Sequence, residues 1–577
     1  MTAPDNVKTI DFAPLPNGFQ RKDDGIYRVL EDEDGNRRLA WLCSPLRVLA
    51  LPRDRSGTGW GRLVEVTDPD GRQHRWAIPA RMFAGDGTDV RARLLDLGMD
   101  LAPGPTGRNS LLDLLQRWRP KARAVTTDRM GWADEACTAF TFGNGDVIGA
   151  EDVVYQGEST PSASAEMKAA GTLEEWQDNV TAACVGNPLM LVAVSLAFAG
   201  PLLEPLGIDG GGLHLRGASS RGKSTIQRVA VSVWGSPRFL HTWRATANGL
   251  EGIAVACNAS LLALDELGEV SGREAGQCAY MLANGCGKAR ADRAGMARAS
   301  LRWRVMVLSS GEIALADKVA EAGGRVAAGQ GVRLLDIAAD DQAHGAFDDL
   351  HDATDGAAFA DRLRAATATQ YGTAGPAFVE KFIANREAAA RELRESITGF
   401  QKLAAQRLAI INEGQTQRAT ARLALVAAAG ELATAFGLTG WTHGAARDAA
   451  LDALGLWLEG RGGNGQAEPR EALERVRAFL VAHGEARFER LDGVGDQRST
   501  IQNRAGWIQD GMFFIATDAW REIHRGADPQ RSARYLHDAG FLEPGDRKNL
   551  TRRMGRAVSG RPSVYAIKAE IMGAGND

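Results

Sequence analysis

Cysteine and long apolar runs are scarce in this chain. Its six cysteines are scattered over 577 residues without a C-x-x-C pair, which argues against a zinc ribbon or a disulfide framework and favours a reducing cytoplasm. The longest apolar stretch, residues 189–199, has about half of the ~20 residues that a membrane span needs. The N-terminal residues also lack the basic start and apolar core of a signal peptide. We therefore expect a cytoplasmic protein without a membrane partner and a buried helix at 189–199.

An excess of charge of either sign is missing as well. The chain has 68 Lys and Arg residues against 72 Asp and Glu residues, a formal net charge of −4. Any affinity for a polyanion must therefore come from local basic segments. Hydrophobic residues make up 44% and charged residues 24% of the chain, which is typical of globular proteins. The length predicts about three or four domains.

One segment departs from this ordinary background. Residues 217–224, Gly-Ala-Ser-Ser-Arg-Gly-Lys-Ser, match the phosphate-binding pattern G-x-x-x-x-G-K-[ST]. An alternating apolar stretch at 212–216 predicts a strand before it, and the apolar spacing of 225–234 predicts a buried helix after it. Strand, loop and helix in this order are the context that a P-loop requires.

The residue types of this loop suit triphosphate binding. Gly217 and Gly222 let the backbone turn its N–H groups towards phosphate oxygens, beside the positive end of the following helix. Lys223 can reach the β- and γ-phosphates, and the Ser224 hydroxyl can ligate Mg²⁺. We therefore predict ATP and Mg²⁺ as cofactors. The predicted ATP-binding residues are Gly217, Ser220, Gly222, Lys223, Ser224 and Thr225.

A second motif begins about forty residues downstream. Residues 260–266, Ser-Leu-Leu-Ala-Leu-Asp-Glu, form an apolar strand pattern that ends in two carboxylates. In P-loop ATPases the acid at this point holds Mg²⁺, and a following glutamate polarises the attacking water. We therefore assign the metal role to Asp265, together with Ser224, and the general-base role to Glu266. The adjacent glutamate favours hydrolysis over transfer to a small acceptor, which argues against a kinase.

Two later segments supply further candidates for catalysis. A third predicted strand at 303–310 ends in hydroxyls, and Ser310 is placed to orient the water or sense the γ-phosphate; a strand followed by a plain turn is the alternative. Arg333 precedes another predicted strand, where ring ATPases often place an arginine that reaches the neighbouring subunit's ATP. Arg325 is the second choice for this arginine finger. An ordinary surface arginine is the alternative for both.

A basic segment lies between the acidic pair and the third strand. Residues 287–304 contain six basic residues and one acid, a local charge of +5, and a Gly-x-Gly turn suggests a projecting hairpin or loop. Such a loop suits sequence-independent contact with phosphodiesters, and a solvated charged loop is the alternative. The predicted contacts are Lys288, Arg290, Arg293 and Arg298.

Residues from about 171 to 377 resemble a known family, the domain of unknown function 927 (DUF927), found in mobile-element and phage-associated replicative helicases. The similarity extends back through 129–132. The resemblance implies an AAA+ ATPase core, related to hexameric helicases that encircle DNA, with the basic segment as a pore hairpin. Ser224-Thr225 departs from the Thr-Thr of many relatives, but either hydroxyl can bind Mg²⁺. The matching stretches are 171–176, 217–225, 233–235, 243–250, 264–266, 280–285, 287–290, 308–312, 329–336 and 371–372.

The predicted fold class is α/β: an AAA+ P-loop core with a parallel sheet, flanking helices and a helical lid, between an α+β N-terminal domain and a C-terminal winged-helix-like domain. The linkers are predicted at 157–164 and 460–466, from their small and polar residues. The predicted domains are 1–165 (N-terminal accessory), 166–345 (ATPase core), 346–459 (helical lid or connector) and 467–577 (winged-helix-like).

Arginines of the lid and of the C-terminal domain are further candidates. Arg418 or Arg422 is a candidate second nucleotide sensor, with a helix-start arginine paired to a surface acid as the alternative. A predicted two-stranded wing at 547–567 begins with a run of six basic residues and no acid over 547–561. DNA contact is predicted there, and protein contact is the alternative. The predicted contacts are Arg547, Lys548, Arg552 and Arg553.

These features predict an ATP-dependent, ring-forming DNA helicase or translocase that acts in replication of a mobile element or phage. We expect a homo-oligomer, with six subunits as the expected ring size, a single DNA strand in its channel, duplex DNA at the winged helix, and a primase or other replication partner. The alternative is a nucleotide-controlled DNA-binding regulator or initiator ATPase that does not unwind processively. A defence or packaging ATPase is a third possibility.

Overall fold

The computed structural model describes most of the chain. The described residues are 14–31, 35–156, 164–291, 297–298, 300–322, 332–408, 410, 414–461, 467–491, 501, 503–525, 527–545, 549–556 and 558–573, with the backbone alone for 164, 290–291, 297–298 and 467–468.

A five-stranded parallel sheet forms the centre of the molecule. The order of its strands across the sheet is His241–Thr242, Leu261–Asp265, Met306–Gly311, Gly211–Arg216 and Leu334–Ala338. All strands run in one direction, so their carboxyl ends share one edge. The residues of the three middle strands are almost all buried, as expected for a parallel sheet that is covered on both faces.

The helix that follows the P-loop packs against this sheet. Lys223–Val231 contacts the strands Leu261–Asp265 and Met306–Gly311. Buried Gln227 fixes this contact, because its Nε2 donates to the carbonyl oxygens of Leu264 at 3.0 Å and Leu308 at 3.1 Å. One polar side chain therefore sets the position of the P-loop helix relative to two strand ends.

The apolar stretch at 189–199 is a buried helix, as predicted. The helix Pro188–Ala199 packs against the P-loop helix and against two later helices, Gly414–Ala435 and Ala445–Gly460. The longer helical stretch Pro188–Leu206 is apolar enough to span a membrane by length and composition, but 83% of its most apolar window is buried inside the protein. It is the central helix of the largest core.

Helices dominate the chain after the parallel sheet. The helical pattern of residues 374–411 predicts one helix, whereas the structure has two, Ala374–Ala384 and Arg386–Arg407, because Asn385 leaves the helical conformation with φ −121° and ψ 19°. The helices of the central region are Leu173–Trp176, Pro188–Ala199, Leu203–Leu206, Lys223–Val231, Ala247–Ala256, Gly272–Asn284, Leu315–Glu321, Gly356–Thr369, Ala374–Ala384, Arg386–Arg407, Gly414–Ala435 and Ala445–Gly460.

The N-terminal region has its own apolar core between two sheets and two helices. One sheet is antiparallel, with the strands Phe19–Lys22, Gly25–Glu31 and Arg37–Cys43. The second has the order Val153–Tyr155, Arg123–Thr127, Leu46–Arg53, Gly61–Thr67 and Gln73–Pro79. The helices are Thr88–Asp96 and Gly104–Arg117.

A third small sheet follows but packs against the central core. Its strands are Gly131–Trp132, Phe140–Thr141 and Val147–Ile148. Trp132 is fully buried, and its Nε1 donates to the carbonyl oxygen of Pro201 at 2.7 Å. Arg129 forms an ion pair with Glu204 at 2.8 Å. This sheet therefore anchors the N-terminal region to the parallel-sheet core.

The C-terminal region forms a separate core from three helices and a sheet. At the place of the predicted wing, Arg552–Arg553 pairs with Ser563–Lys568 in antiparallel register, and Ser563–Lys568 also pairs with Met512–Ala516 and Leu542–Glu543. The helices are Ala467–His483, Thr517–Ile523 and Pro529–Asp538, and the other strands are Phe488–Arg490, Gly506–Gln509, Met512–Ala516 and Leu542–Glu543.

Candidate active site

The P-loop connects the end of Gly211–Arg216 to the start of Lys223–Val231. Gly222 has a φ of +102°, and a Cβ added there would lie 2.6 Å from the Phe347 ring. Phe347 is 2% exposed and packs edge-on against Phe359 at 5.0 Å, so it has little room to move. Both the backbone conformation and the neighbouring ring therefore require glycine at this position.

Lys223 lies inside the loop that it is predicted to serve. Its residue is 7% exposed, and its ammonium donates to the carbonyl oxygens of Gly217 at 2.8 Å and Ala218 at 2.6 Å. A triphosphate that enters the loop offers stronger, charged acceptors to the same ammonium. The Lys223 ammonium thus lies where it can exchange its carbonyl acceptors for phosphate oxygens.

Three predicted residues meet at one carboxylate oxygen. Asp265 Oδ1 accepts a hydrogen bond from Ser310 Oγ, lies 3.3 Å from Ser224 Oγ, and accepts from the Glu266 backbone N–H at 3.1 Å. The carboxyl ends of neighbouring parallel strands create this meeting point. Hydroxyl and carboxylate oxygens are the ligands that Mg²⁺ prefers, so Ser224 and Asp265 fit the predicted metal role.

Glu266 has an unusual backbone conformation. Its φ of 64° and ψ of 65° are left-handed, which is uncommon for a residue with a long side chain and marks strain that is frequent at functional sites. Burial raises the pKa of its carboxyl, the charge of Asp265 raises it further, and Lys223 partly offsets the rise. A carboxylate with a raised pKa is a stronger base, which suits proton removal from water.

The segment after the last core strand contacts the P-loop, and sequence analysis did not predict this contact. Asp340 Oδ2 accepts from the Ala218 backbone N–H at 2.6 Å, and the Ala346 N–H donates to the Arg221 carbonyl oxygen at 2.8 Å. No local pattern predicts this contact, because it joins residues more than a hundred positions apart. Asp340 is therefore a P-loop neighbour that sequence analysis missed.

Arg333 lies at the opposite edge of the sheet from the P-loop. It directly precedes Leu334–Ala338, and its carbonyl oxygen accepts from the Gly212 N–H at 2.8 Å. Its guanidinium lies 4.8 Å from the centre of the Tyr280 ring. The length of a strand, about 15–20 Å, separates it from the phosphate loop of its own chain. Arg325, the second choice, is outside the described residues.

The candidate sensor arginines are also away from the P-loop. Arg422 lies against Gly211, at the same edge as Arg333. Burial lowers the pKa of Arg422 to about 10, and the charge of Arg333 adds to this effect, so the Arg422 guanidinium is charged at neutral pH. Arg418 is exposed in the first turns of Gly414–Ala435. Neither arginine contacts the phosphate loop of its own chain.

The basic segment contains the predicted hairpin. Arg290–Ala291 pairs with Ala297–Arg298 in antiparallel register, with Arg290 opposite Arg298. Like charges at opposed positions of a strand pair generally disfavour the pairing. Lys288 is exposed, and its backbone N–H donates to Glu251 Oε1 at 3.1 Å, which anchors the base of the hairpin. Arg293 is outside the described residues.

The C-terminal cations are divided between packed and exposed positions. The Arg552 guanidinium lies 4.6 Å from the centre of the Phe514 ring, and Arg553 is exposed. Arg547 and Lys548 are outside the described residues. The structure adds two exposed arginines that sequence analysis missed, Arg531 and Arg534 on the helix Pro529–Asp538.

Comparison with known proteins gives one family and one fold. The family model described as "Domain of unknown function (DUF927)" matches residues 19–302, so it starts well before the stretch in which we saw the resemblance and ends earlier. A solved structure described as "SCCmec type IV Cch - active helicase" is similar with a TM-score of 0.70 and 18% identity, over 97% of this chain and 99% of that chain. At this identity the similarity shows a shared fold. No curated protein matches.

Proposed function

Because this chain belongs to the DUF927 family, matched over residues 19–302, we propose that it is an ATP-dependent, ring-forming DNA helicase or translocase that acts in replication of a mobile element or phage. The observation that carries the proposal is the meeting of Ser224 and Ser310 at Asp265, directly beside the P-loop lysine. The shared fold with a protein described as an active helicase supports the same function.

The proposed chemistry is hydrolysis of the γ-phosphate. Lys223 and the loop N–H groups bind and neutralise the phosphates, and Ser224 and Asp265 hold Mg²⁺. The metal ion supplies neutralisation of charge on the phosphate oxygens. Glu266 removes the proton of the attacking water, and Ser310, hydrogen-bonded to Asp265, fixes the position of that carboxylate.

The proposed ring follows from the position of Arg333. Its own P-loop is about 15–20 Å away across the sheet, whereas half-buried Arg333 lies beside exposed Tyr280, at an edge that a second copy can approach. In a closed ring with head-to-tail interfaces, this edge of one subunit faces the nucleotide of the next. A parallel core, a helical region that follows it and an arginine that reaches the next subunit are together the parts of an AAA+ core.

The proposed DNA contact in the channel is the hairpin at 290–298 with Lys288. Backbone phosphates supply the anions that its opposed arginines require. The C-terminal domain is proposed to be a winged helix that contacts duplex DNA, and a primase or another replication protein is the proposed partner.

A nucleotide-controlled regulator or initiator without processive unwinding is the second candidate function. Exposed Arg531 and Arg534 beside the wing favour it, because a basic helix next to a two-stranded wing suits duplex binding. Displacement of a strand from a forked duplex distinguishes the two functions, since a regulator binds the duplex and leaves it paired.

The test is the Glu266→Gln variant. We expect it to bind ATP with an affinity near that of the wild type and to hydrolyse it about 10²–10⁴-fold more slowly, because the general base is lost. Glu269→Gln, the same change at an exposed position three residues later, is the control and should hydrolyse normally. Full hydrolysis by Glu266→Gln would refute the assigned site.

A further inference from the structure

The N-terminal region exposes a tryptophan. All 13 tryptophans of the chain are in the described ranges, and Trp60, at 43%, is the exposed one among them. Two hydrogen bonds hold it there: its Nε1 donates to the Gly57 carbonyl oxygen at 3.0 Å, and its own carbonyl oxygen accepts from the Ala80 N–H at 2.8 Å. The ring is thus fixed at the surface although burial would be more favourable for it.

Cations surround this ring. The guanidinium groups of Arg53 and Arg123 lie 5.9 Å and 5.8 Å from its centre, at the outer limit for a cation over an aromatic face. Trp60 is nevertheless 43% exposed, and this open part of the residue is where a flat group can approach it. Both arginines are held by neighbouring strands of one sheet, in which Leu51 pairs with Arg123.

The same surface continues into a basic connection. Residues 117–123, Arg-Trp-Arg-Pro-Lys-Ala-Arg, contain four cations and no acid, and Arg119 and Lys121 are exposed. Within the described ranges, Arg53, Arg119, Lys121 and Arg123 form no ion pair with a carboxylate. The whole chain has a net charge of −4, so this cluster of cations without carboxylate partners is more basic than the protein as a whole.

We propose that Trp60, Arg53, Arg119, Lys121 and Arg123 form a second nucleic-acid site, specific for single strands. An exposed indole stacks on an unpaired base, and the arginines and the lysine bind the flanking phosphates. The bases of a duplex are already stacked on each other, so a duplex gains only the phosphate contacts. The identity of the partner as nucleic acid rests on the proposed function; the site itself is separate from the hairpin.

The experiment measures binding of a fluorescent oligothymidylate to the full chain without nucleotide, in a Lys288→Ala background that weakens the hairpin. We expect Trp60→Ala to weaken binding about 10-fold and Trp60→Phe to keep most of it, because phenylalanine still stacks. Arg119→Glu/Lys121→Glu should also weaken binding and reduce its salt dependence. Leu95→Ala removes another exposed apolar side chain, 51% exposed, and is the control.

Equal binding by Trp60→Ala and its parent would overturn the site. If the charge reversals weaken binding in that case, the result would indicate a surface for duplex DNA or an acidic protein. Glu266→Gln should bind the oligonucleotide like the wild type. Failure of hydrolysis and failure of this site are therefore measured separately.

Discussion

Asp265 Oδ1 is the atom at which the candidate active site converges. The hydroxyls of Ser224 and Ser310 and the N–H of Glu266 all point at it. The charge of this aspartate also helps to raise the pKa of the Glu266 carboxyl. One side chain thus links the proposed metal position, the strand that carries Ser310, and the proposed general base.

Gly222→Ala tests how tightly the loop is built. We expect it to destabilise the protein by about 1–3 kcal/mol, because alanine is strained in a left-handed conformation and its Cβ would lie 2.6 Å from the Phe347 ring. ATP–Mg²⁺ binding should weaken as well. Thermal unfolding with and without ATP–Mg²⁺ measures both effects.

The control is Gly252→Ala, inside the helix Ala247–Ala256, where a Cβ meets nothing within 4 Å. This change should stabilise the protein by about 0.5–1 kcal/mol, because alanine loses less backbone entropy than glycine in a helix. If Gly222→Ala has the same unfolding temperature and the same affinity for ATP as the wild type, the loop is not as tightly packed as described.

At the scale of elements, a buried network of side-chain hydrogen bonds connects core strands. Trp243 Nε1 donates to Ser309 Oγ at 2.9 Å, and Ser309 Oγ is 2.9 Å from His214 Nδ1. His214 Nε2 lies 3.0 Å from the Ile313 carbonyl oxygen and therefore carries the ring proton. Every member is satisfied when the imidazole is neutral. The network fixes the strand that carries Ser310.

The buried His214 in this hydrogen-bond network makes the stability of the protein depend on pH. Burial lowers the pKa of His214 from the ordinary 6.5, so the unfolded chain takes up a proton at a higher pH than the folded protein. Stability is therefore full above the ordinary pKa and falls as the pH drops below it. The decrease in Tm from pH 7.5 to pH 5.0 should be about 1–3 °C smaller in His214→Gln than in the wild type. Equal losses would contradict a neutral, buried His214.

The hairpin gives a second prediction at this scale. Lys288→Ala should reduce the stimulation of ATP hydrolysis by single-stranded DNA about 10-fold, because a phosphate contact in the channel is lost. Lys402→Ala, at an exposed position of Arg386–Arg407, is the matched control. If Lys288→Ala is stimulated and unwinds like the wild type, the assignment of the pore hairpin is wrong.

Local elements were largely predictable from the sequence. The P-loop strand, predicted at 212–216, is Gly211–Arg216, and its helix begins at Lys223. Thr172 and Glu175 have the S/T-x-x-E spacing that predicts a capping box at the start of a helix, and both of its hydrogen bonds are present. These features depend on residues that are neighbours in the sequence, and sequence patterns therefore predict them. The break at Asn385 was missed, because nothing in its neighbours marks the end of a helix there.

At the scale of the whole molecule, the long-range placements could not be predicted. Asp340 at the P-loop, Arg422 beside Gly211 and the packing of Trp132 on the central core each depend on the order of strands and helices in space. Local patterns predict a strand but not the strands beside it. The position of Arg333 at the far edge of the sheet is the most consequential of these placements, because its proposed role as an arginine finger then needs a second subunit to complete the site.

The most direct test of this claim is ATP hydrolysis by a mixture of Arg333→Ala and Lys223→Ala chains, assembled together with single-stranded DNA. Each variant alone should be inactive, because every seam lacks either the finger or the lysine. An equal mixture should recover about one quarter of the wild-type rate, since random head-to-tail assembly joins the two intact halves at one seam in four. A mixture that stays inactive, or an Arg333→Ala chain that hydrolyses ATP fully on its own, would contradict a site shared between subunits.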